Sequence, residues 1–323
     1  MVGEPQEIMQ EPSASHNRLR PACRKCFVLF WCFWAVLLFQ PTIACSSSKP
    51  APPEEPSSQE KKETIPLLTA EALWSKAAEA RKNKSWEEAA ALYRQYFDRF
   101  QEKENGEEAL GEAAKAAKAA ATKAASEAPD WEMVRDLYRM YTTEYPASSH
   151  NDEAFFEVGL AHYHMRFYRE AFIYFKKFEE RYPDSPLLQD VLLWRGKTVF
   201  ALGRYDEAIN LFRQVTEESS DRALMFAAMK ELGDTQTAAK DFAGALVTYS
   251  TLMQKHPAYY LEDPGLLLKL GLAQMHVGKN SEGRKYLFYY LNIDPGSTQL
   301  ADVLFEIAES YRRENDENSA LKL

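Results

Sequence analysis

An aromatic residue, an alanine three places on and a second aromatic four places beyond recur along this chain at a nearly constant interval. Tyr168-Arg-Glu-Ala171 leads to Phe175, Tyr205-Asp-Glu-Ala208 to Phe212, and Phe242-Ala-Gly-Ala245 to Tyr249. Upstream, Trp86-Glu-Glu-Ala89 leads to Tyr93, and Trp131-Glu-Met-Val134 to Tyr138 with valine in the alanine place. The anchors at 131, 168, 205 and 242 stand 37 residues apart, and those at 86 and 131 stand 45 apart. A fixed period of this size is the mark of one supersecondary unit repeated. Such a unit cannot bury its apolar face alone, so its copies must stack on one another.

Nine residues before the three most regular anchors sits a glycine: Gly159, Gly196 and Gly233. Proline closes many of the units, at Pro146, Pro183, Pro257 and Pro295. Glycine in a first helix lets a second helix pack close, and alanine in the second does the same from the other side. The next aromatic fills the gap between hairpins, and proline ends the second helix because it cannot continue the hydrogen-bond ladder. Ala, Glu, Leu, Lys and Arg dominate and only 13 glycines occur, which favours helix throughout.

This arrangement resembles the tetratricopeptide repeat (TPR) from about residue 67 to the end, with a period slightly longer than the usual ~34 residues. The resemblance implies an all-α, TPR-type superhelical solenoid of antiparallel hairpins, about six plus a partial seventh. The turns Tyr145-Pro-Ala-Ser-Ser149 and Tyr182-Pro-Asp-Ser-Pro186 resemble those between repeats of periplasmic TPR lipoproteins. The BamD family, of the outer-membrane β-barrel assembly machine, is one such group. The CpoB family, which coordinates Tol-Pal and peptidoglycan synthesis, is another; it usually carries an N-terminal coiled coil, and no heptad run stands here.

A sixth hairpin is degenerate, with Gly271 and Pro295 in place but Asn280 for the aromatic and Gly283 for the alanine. A seventh begins near Ala301, with Ala308 and Tyr311 in its first helix, and the chain stops at Leu323 partway through the expected second helix. Either the array is a piece of a longer one, or a partner covers its end. The alanine-rich stretch from Ala109 to Ala128 predicts a first helix about two turns longer than its neighbours, which would account for the spacing of 45. It reads as a spacer with a solvated Lys/Glu face, or as a surface on which another helix docks.

First helices of stacked hairpins line a concave face. In the TPR pattern its groove positions fall on Phe156, Leu160 and Tyr163, then Leu193, Lys197 and Phe200. They continue through Lys230, Asp234 and Thr237 to Leu268, Leu272 and Met275, and end at Phe305, Glu309 and Arg312. An apolar, aromatic groove suits an extended or helical peptide, whereas packing against the neighbouring first helix is the competing assignment for each residue. TPR domains that capture a C-terminal carboxylate use Lys, Asn and Arg at these places. Phe156, Leu160, Leu193 and Leu268 stand there instead, so that clamp is absent.

The N-terminus carries an address. Arg18, Arg20, Arg24 and Lys25 precede an uncharged run of 13 residues from Phe27 to Phe39, followed by Gln-Pro-Thr-Ile-Ala-Cys. A basic region, a short apolar core and a small residue before the cut describe a secretory signal. A membrane-spanning helix needs about 20 apolar residues; a retained inner-membrane signal-anchor is the alternative. Thr42-Ile43-Ala44-Cys45 resembles a bacterial lipobox, although Thr42 stands where leucine is usual and Pro41 is atypical. By that resemblance Cys45 is the lipidation site and the address is the outer membrane, periplasmic face. Residues 1–44 then form the signal peptide, with Met9 a second candidate start, and 45–66 a flexible tether rich in Pro, Ser and Glu.

The remaining classes are disfavoured on composition and motif. A net charge of −9 without a Lys/Arg stripe argues against nucleic acid. All four cysteines, Cys23, Cys26, Cys32 and Cys45, lie in the first 45 residues, and one C-x-x-C pair without a nearby histidine is a weak zinc signal. His162 and His164 stand two apart on a predicted helix and so point in different directions. No Gly-rich phosphate loop, H-E-x-x-H or G-x-S-x-G occurs. The expectation is a non-enzymatic scaffold without cofactor, metal or small-molecule substrate, whose partners are cell-envelope proteins and, through a lipid, the membrane. An envelope enzyme subunit acting on peptidoglycan or lipid is the alternative of another class, and it would need a polar cluster in a pocket.

Overall fold

The computed structural model describes residues 68–102, 105–123 and 129–323, all within the unit from Thr64 to Leu323. The signal, Cys45 and the tether lie outside the described residues. Helices pair in sequence: α1 Ala70–Lys82 with α2 Trp86–Phe100, α3 Gly106–Thr122 with α4 Trp131–Glu144, and α5 Asn151–His164 with α6 Tyr168–Arg181. Then come α7 Leu188–Ala201 with α8 Tyr205–Glu218, and α9 Arg222–Ala238 with α10 Phe242–Lys255. A single turn, α11 Tyr259–Glu262, precedes α12 Gly265–His276 with α13 Asn280–Ile293, and α14 Leu300–Arg313 with the short α15 Glu317–Ala320. Each helix packs on the one before and the one after it, and first helices also meet one another, α5 on α7, α7 on α9 and α12 on α14. Among the described residues there is no strand, and no helix is long and apolar enough to cross a membrane.

The glycine-and-aromatic pattern builds each hairpin. A Cβ placed on Gly159 would stand 2.6 Å from the Phe175 ring, and one on Gly196 would stand 2.5 Å from Phe212. Gly233 meets Tyr249 in the same way. Each ring therefore fills the space a side chain would need at a glycine of the facing helix and is fully buried. Burial of one such side chain is worth about 1.5–3 kcal/mol. The sixth hairpin keeps this construction despite its altered sequence. Leu287 covers Gly271, and a Cβ on Gly283 would come within 2.7 Å of the Gly271 carbonyl oxygen, so two glycines let the backbones touch.

Six of the hairpins close through one turn. The residue two places before the second helix adopts positive φ: Lys84, Arg166, Gly203, Lys240, Gly278 and Asn315, from 59° to 82°. Its N–H and the next bond back to the first helix, as Gly203 to the Phe200 carbonyl at 2.8 Å and Arg204 to that of Val199 at 2.9 Å. This is the Schellman pattern, which satisfies the carbonyls left over at a helix end. Between hairpins, serine of the Tyr-Pro turns accepts from the N–H two residues on, Ser148 from His150 at 3.1 Å and Ser185 from Leu187 at 3.2 Å. That bond holds the chain at the angle from which the next first helix starts.

The α3–α4 hairpin departs from this plan and from the expectation for it. Helix α3 ends at Thr122, 17 residues long against 14 for α5 and α7, so it is less than one turn longer and not two. The larger share of the extra spacing lies in the connection 123–130, where the α7–α8 connection needs only 202–204. Nor is the alanine face free to dock another helix, while Glu108 and Lys115 on the Lys/Glu face are exposed. Ala109, Ala113, Ala114, Ala116 and Ala117 are buried with Leu110 in the chain's own core.

Candidate functional site

The first helices form one layer, and their predicted groove residues separate into two groups. Phe156, Leu160, Leu193 and Met275 are buried. Phe156 stacks obliquely on Phe175 and Phe178, with ring centres 6.0 and 6.3 Å apart, and so belongs to the hairpin core. Leu160 joins the same cluster, Leu193 the next one, and Met275 the one built on α12 and α13. Tyr163, Phe200, Leu268 and Leu272 remain half-buried, and Phe305 is exposed, so these apolar groups still reach the surface of the layer.

The charged groove residues are held by their neighbours. Lys197 on α7 lies 3.1 Å from Glu231 on α9, and Lys230 lies 2.7 Å from Asp263, just ahead of α12. Asp234 accepts from Lys269 on α12 at 2.6 Å and from the Tyr249 hydroxyl at 2.6 Å. Glu157 on α5 pairs with Lys118 on α3, and Glu112 on α3 with Arg81 on α1. Ion pairs thus tie α1 to α3, α3 to α5, α7 to α9 and α9 to α12. Glu157 is nearly fully buried, and burial raises its carboxyl above the usual range despite the Lys118 ammonium. Such a pair contributes register more than stability, because desolvation offsets most of its Coulomb gain.

An aromatic cluster lies where α5 meets α7. Tyr163 meets Trp194 edge-on at 5.0 Å, Lys197 sits 4.6 Å over the Trp194 ring, and His164 lies 5.8 Å from it. The other side of His164 stacks on Trp131, centres 4.0 Å apart and planes within 9°. Phe242 stacks on His276 in the same way, 3.8 Å and 7°. In both, the first residue of a second helix covers the last turn of the next first helix. Spacings of 33 and 34 residues between the partners are the sequence signal that marks these stacks. Trp194, one place after Leu193, had no such signal. His162 turns the other way, onto Tyr174 at 5.1 Å. Burial lowers both imidazoles, with nearby Arg135 adding to the effect at His162 and Lys118 at His164, which favours neutral, stacking rings. The described residues hold no group of three side chains fit for a metal ion.

What this layer can do is hold an apolar or aromatic segment against Tyr163, Trp194 and Phe200, inside a frame whose charges are already spoken for. The family described as tetratricopeptide repeat matches residues 190–221, which is the α7–α8 hairpin. No curated protein matches the chain by sequence. Among solved structures, it is similar to the C-terminal part of a TPR repeat-containing protein from Cytophaga hutchinsonii. That likeness has a TM-score of 0.58 at 16% identity, over 77% of this chain and 93% of that one. PilF of Pseudomonas aeruginosa gives 0.48 at 15% identity, over 60% and 81%. MamA gives 0.43 at 18% identity, over 51% and 89%. At 16% identity the likeness to the Cytophaga protein is one of fold, and with the repeat match and the hairpin construction above it establishes the described part of the chain as a tetratricopeptide-type solenoid.

Proposed function

We infer that the chain is a protein–protein interaction scaffold of the bacterial cell envelope, lipid-anchored through Cys45 and serving outer-membrane protein assembly in a BamD-like way. The scaffold part is supported by the fold, since stacked hairpins offer a long face for a partner. The envelope part is carried by one observation, the Ala44-Cys45 ending of a basic-then-apolar leader placed ahead of a Pro/Ser/Glu tether. The Tyr-Pro-x-Ser turns at 145–148 and 182–185 support it by resemblance.

Mass spectrometry of the membrane-extracted protein should find a diacylglyceryl group on Cys45 as the first residue. Residues 27–44 still attached would overturn the lipoprotein assignment. Cross-linked capture from native membranes should then return outer-membrane assembly components. Recovery of Tol-Pal components instead would replace the BamD-like role by a CpoB-like one.

A further inference from the structure

Helices α3 and α4 and the start of α5 enclose a cleft of about 330 Å³. Its walls carry Glu107, Glu108, Glu112 and Glu153 against Lys115 and His150. Glu112 is neutralised by Arg81, with Lys115 3.8 Å away. Glu107 accepts from the Tyr141 hydroxyl at 2.7 Å, a neutral partner. Glu107, Glu108 and Glu153 have no ion pair among the described residues. The excess of negative charge in the cleft is therefore not balanced by the described side chains around it.

A second observation is independent of charge. Tyr138 lines the same cleft and is only 4% exposed, yet its hydroxyl has no hydrogen-bond partner among the described residues. The ring is buried while the hydroxyl oxygen keeps contact with solvent, so it is open to a guest in the cleft. At the matching place in the α9–α10 hairpin, Tyr249 donates to Asp234, and Lys269 closes the set at 2.6 Å. At Tyr138 no described side chain bonds to the hydroxyl. Burial, with Glu157, Glu153 and Glu112 nearby, pushes the hydroxyl far above the ordinary phenol range, so it stays protonated. A neutral phenol can accept from an N–H while donating its own O–H to a carboxylate in a hydrogen bond.

We propose that this cleft receives one lysine or arginine side chain of a bound polypeptide, its cationic head among Glu108, Glu153 and the Tyr138 hydroxyl. The aliphatic stem then lies along Gly111 and Ala154, as the stems of long cationic side chains do. The volume admits a side chain and excludes a folded element. This assignment rests on reading the solenoid as a protein-binding scaffold, and its test does not depend on knowing the partner.

The full-length chain is titrated at low ionic strength with three blocked pentapeptides of alanine carrying a central arginine, lysine or citrulline. Ligand-observed NMR or calorimetry reads the affinity. The cationic peptides bind saturably, and the citrulline peptide binds roughly tenfold more weakly because its neutral head loses the charge-assisted bonds. Glu108→Gln with Glu153→Gln weakens arginine-peptide binding by about tenfold, and Tyr138→Phe by roughly threefold. Glu180→Gln, on the exposed face of α6, changes nothing. Thermal melts identify any variant that fails to fold, and the two glutamine changes lie on partly exposed sites, so they keep the test open if Tyr138→Phe does not. Equal binding of the arginine and citrulline peptides overturns the proposal, as does unchanged binding by the glutamine variant. Free arginine amide binding as tightly as the peptide overturns the polypeptide assignment. None of these outcomes touches the scaffold reading, which is decided by partner capture.

Discussion

Gly196 shows how one atom sets the distance between two helices. The Phe212 ring occupies the space a Cβ would need, 2.5 Å from its ideal position. Phe212 is itself fully buried and cannot swing out without opening the hairpin. Replacing Gly196 with leucine therefore overpacks α7 against α8 and should cost about 1–3 kcal/mol. Thermal melts compare the variant with the parent, and an unchanged midpoint would show that the hairpin register is wrong. Gly271 and Gly283 reach the same closeness by another route, since Gly283 replaces the alanine and Leu287 takes the place of the ring over Gly271. Identity at a repeat position matters less than the volume it leaves.

Among the elements, the turn between paired helices is the most regular part and the least visible in residue identity. Gly203 and Gly278 take positive φ without steric cost, but Lys84, Arg166, Lys240 and Asn315 take it with a Cβ. Left-handed backbone costs such a residue about 1–2 kcal/mol, of which glycine's greater chain entropy when unfolded returns part. Lys240 is exposed and its side chain has no partner among the described residues, so little else changes on substitution. Lys240→Gly should thus raise stability by about 0.5–1 kcal/mol, read as a higher denaturant midpoint with unchanged slope. A loss of stability would mean that the Schellman turn does not form there.

On the scale of the whole array, each hairpin touches only its neighbours, so binding strength and folding stability divide by location. Tyr163 and Phe200 come from consecutive first helices and stay half-buried, Tyr163 against Trp194 and Phe200 against Tyr205. Alanine at either should weaken capture of a partner by about 1–3 kcal/mol while the protein still folds. Pull-down from envelope extracts alongside circular-dichroism melts separates the roles. Variants that melt early yet bind normally when cold would assign both rings to the core and move the binding face elsewhere. Phe156 and Leu193, already buried, should behave in that second way.

Stacked hairpins, their order and their internal packing were legible in the sequence, because a glycine, an alanine and two aromatics at set spacings act within 25 residues of one another. The same local reach explains the errors. Composition alone extended the alanine-rich helix past Thr122, although where a helix stops depends on what its last turn meets. The face of a first helix that reaches solvent depends on the rotation between successive hairpins, and a period carries no angle. Packing on the paired second helix buried Phe156 and Met275, Leu160 and Leu193 joined the same kind of core, and Tyr163, Phe200 and Leu268 stayed half-buried at the surface. The rotation between hairpins paired Lys197, Lys230 and Asp234 with charges more than 30 residues away and gathered Glu108, Tyr138 and Glu153 around one cleft. Charge pairing and cleft formation act through space between helices remote in sequence, so only the tertiary structure could decide them.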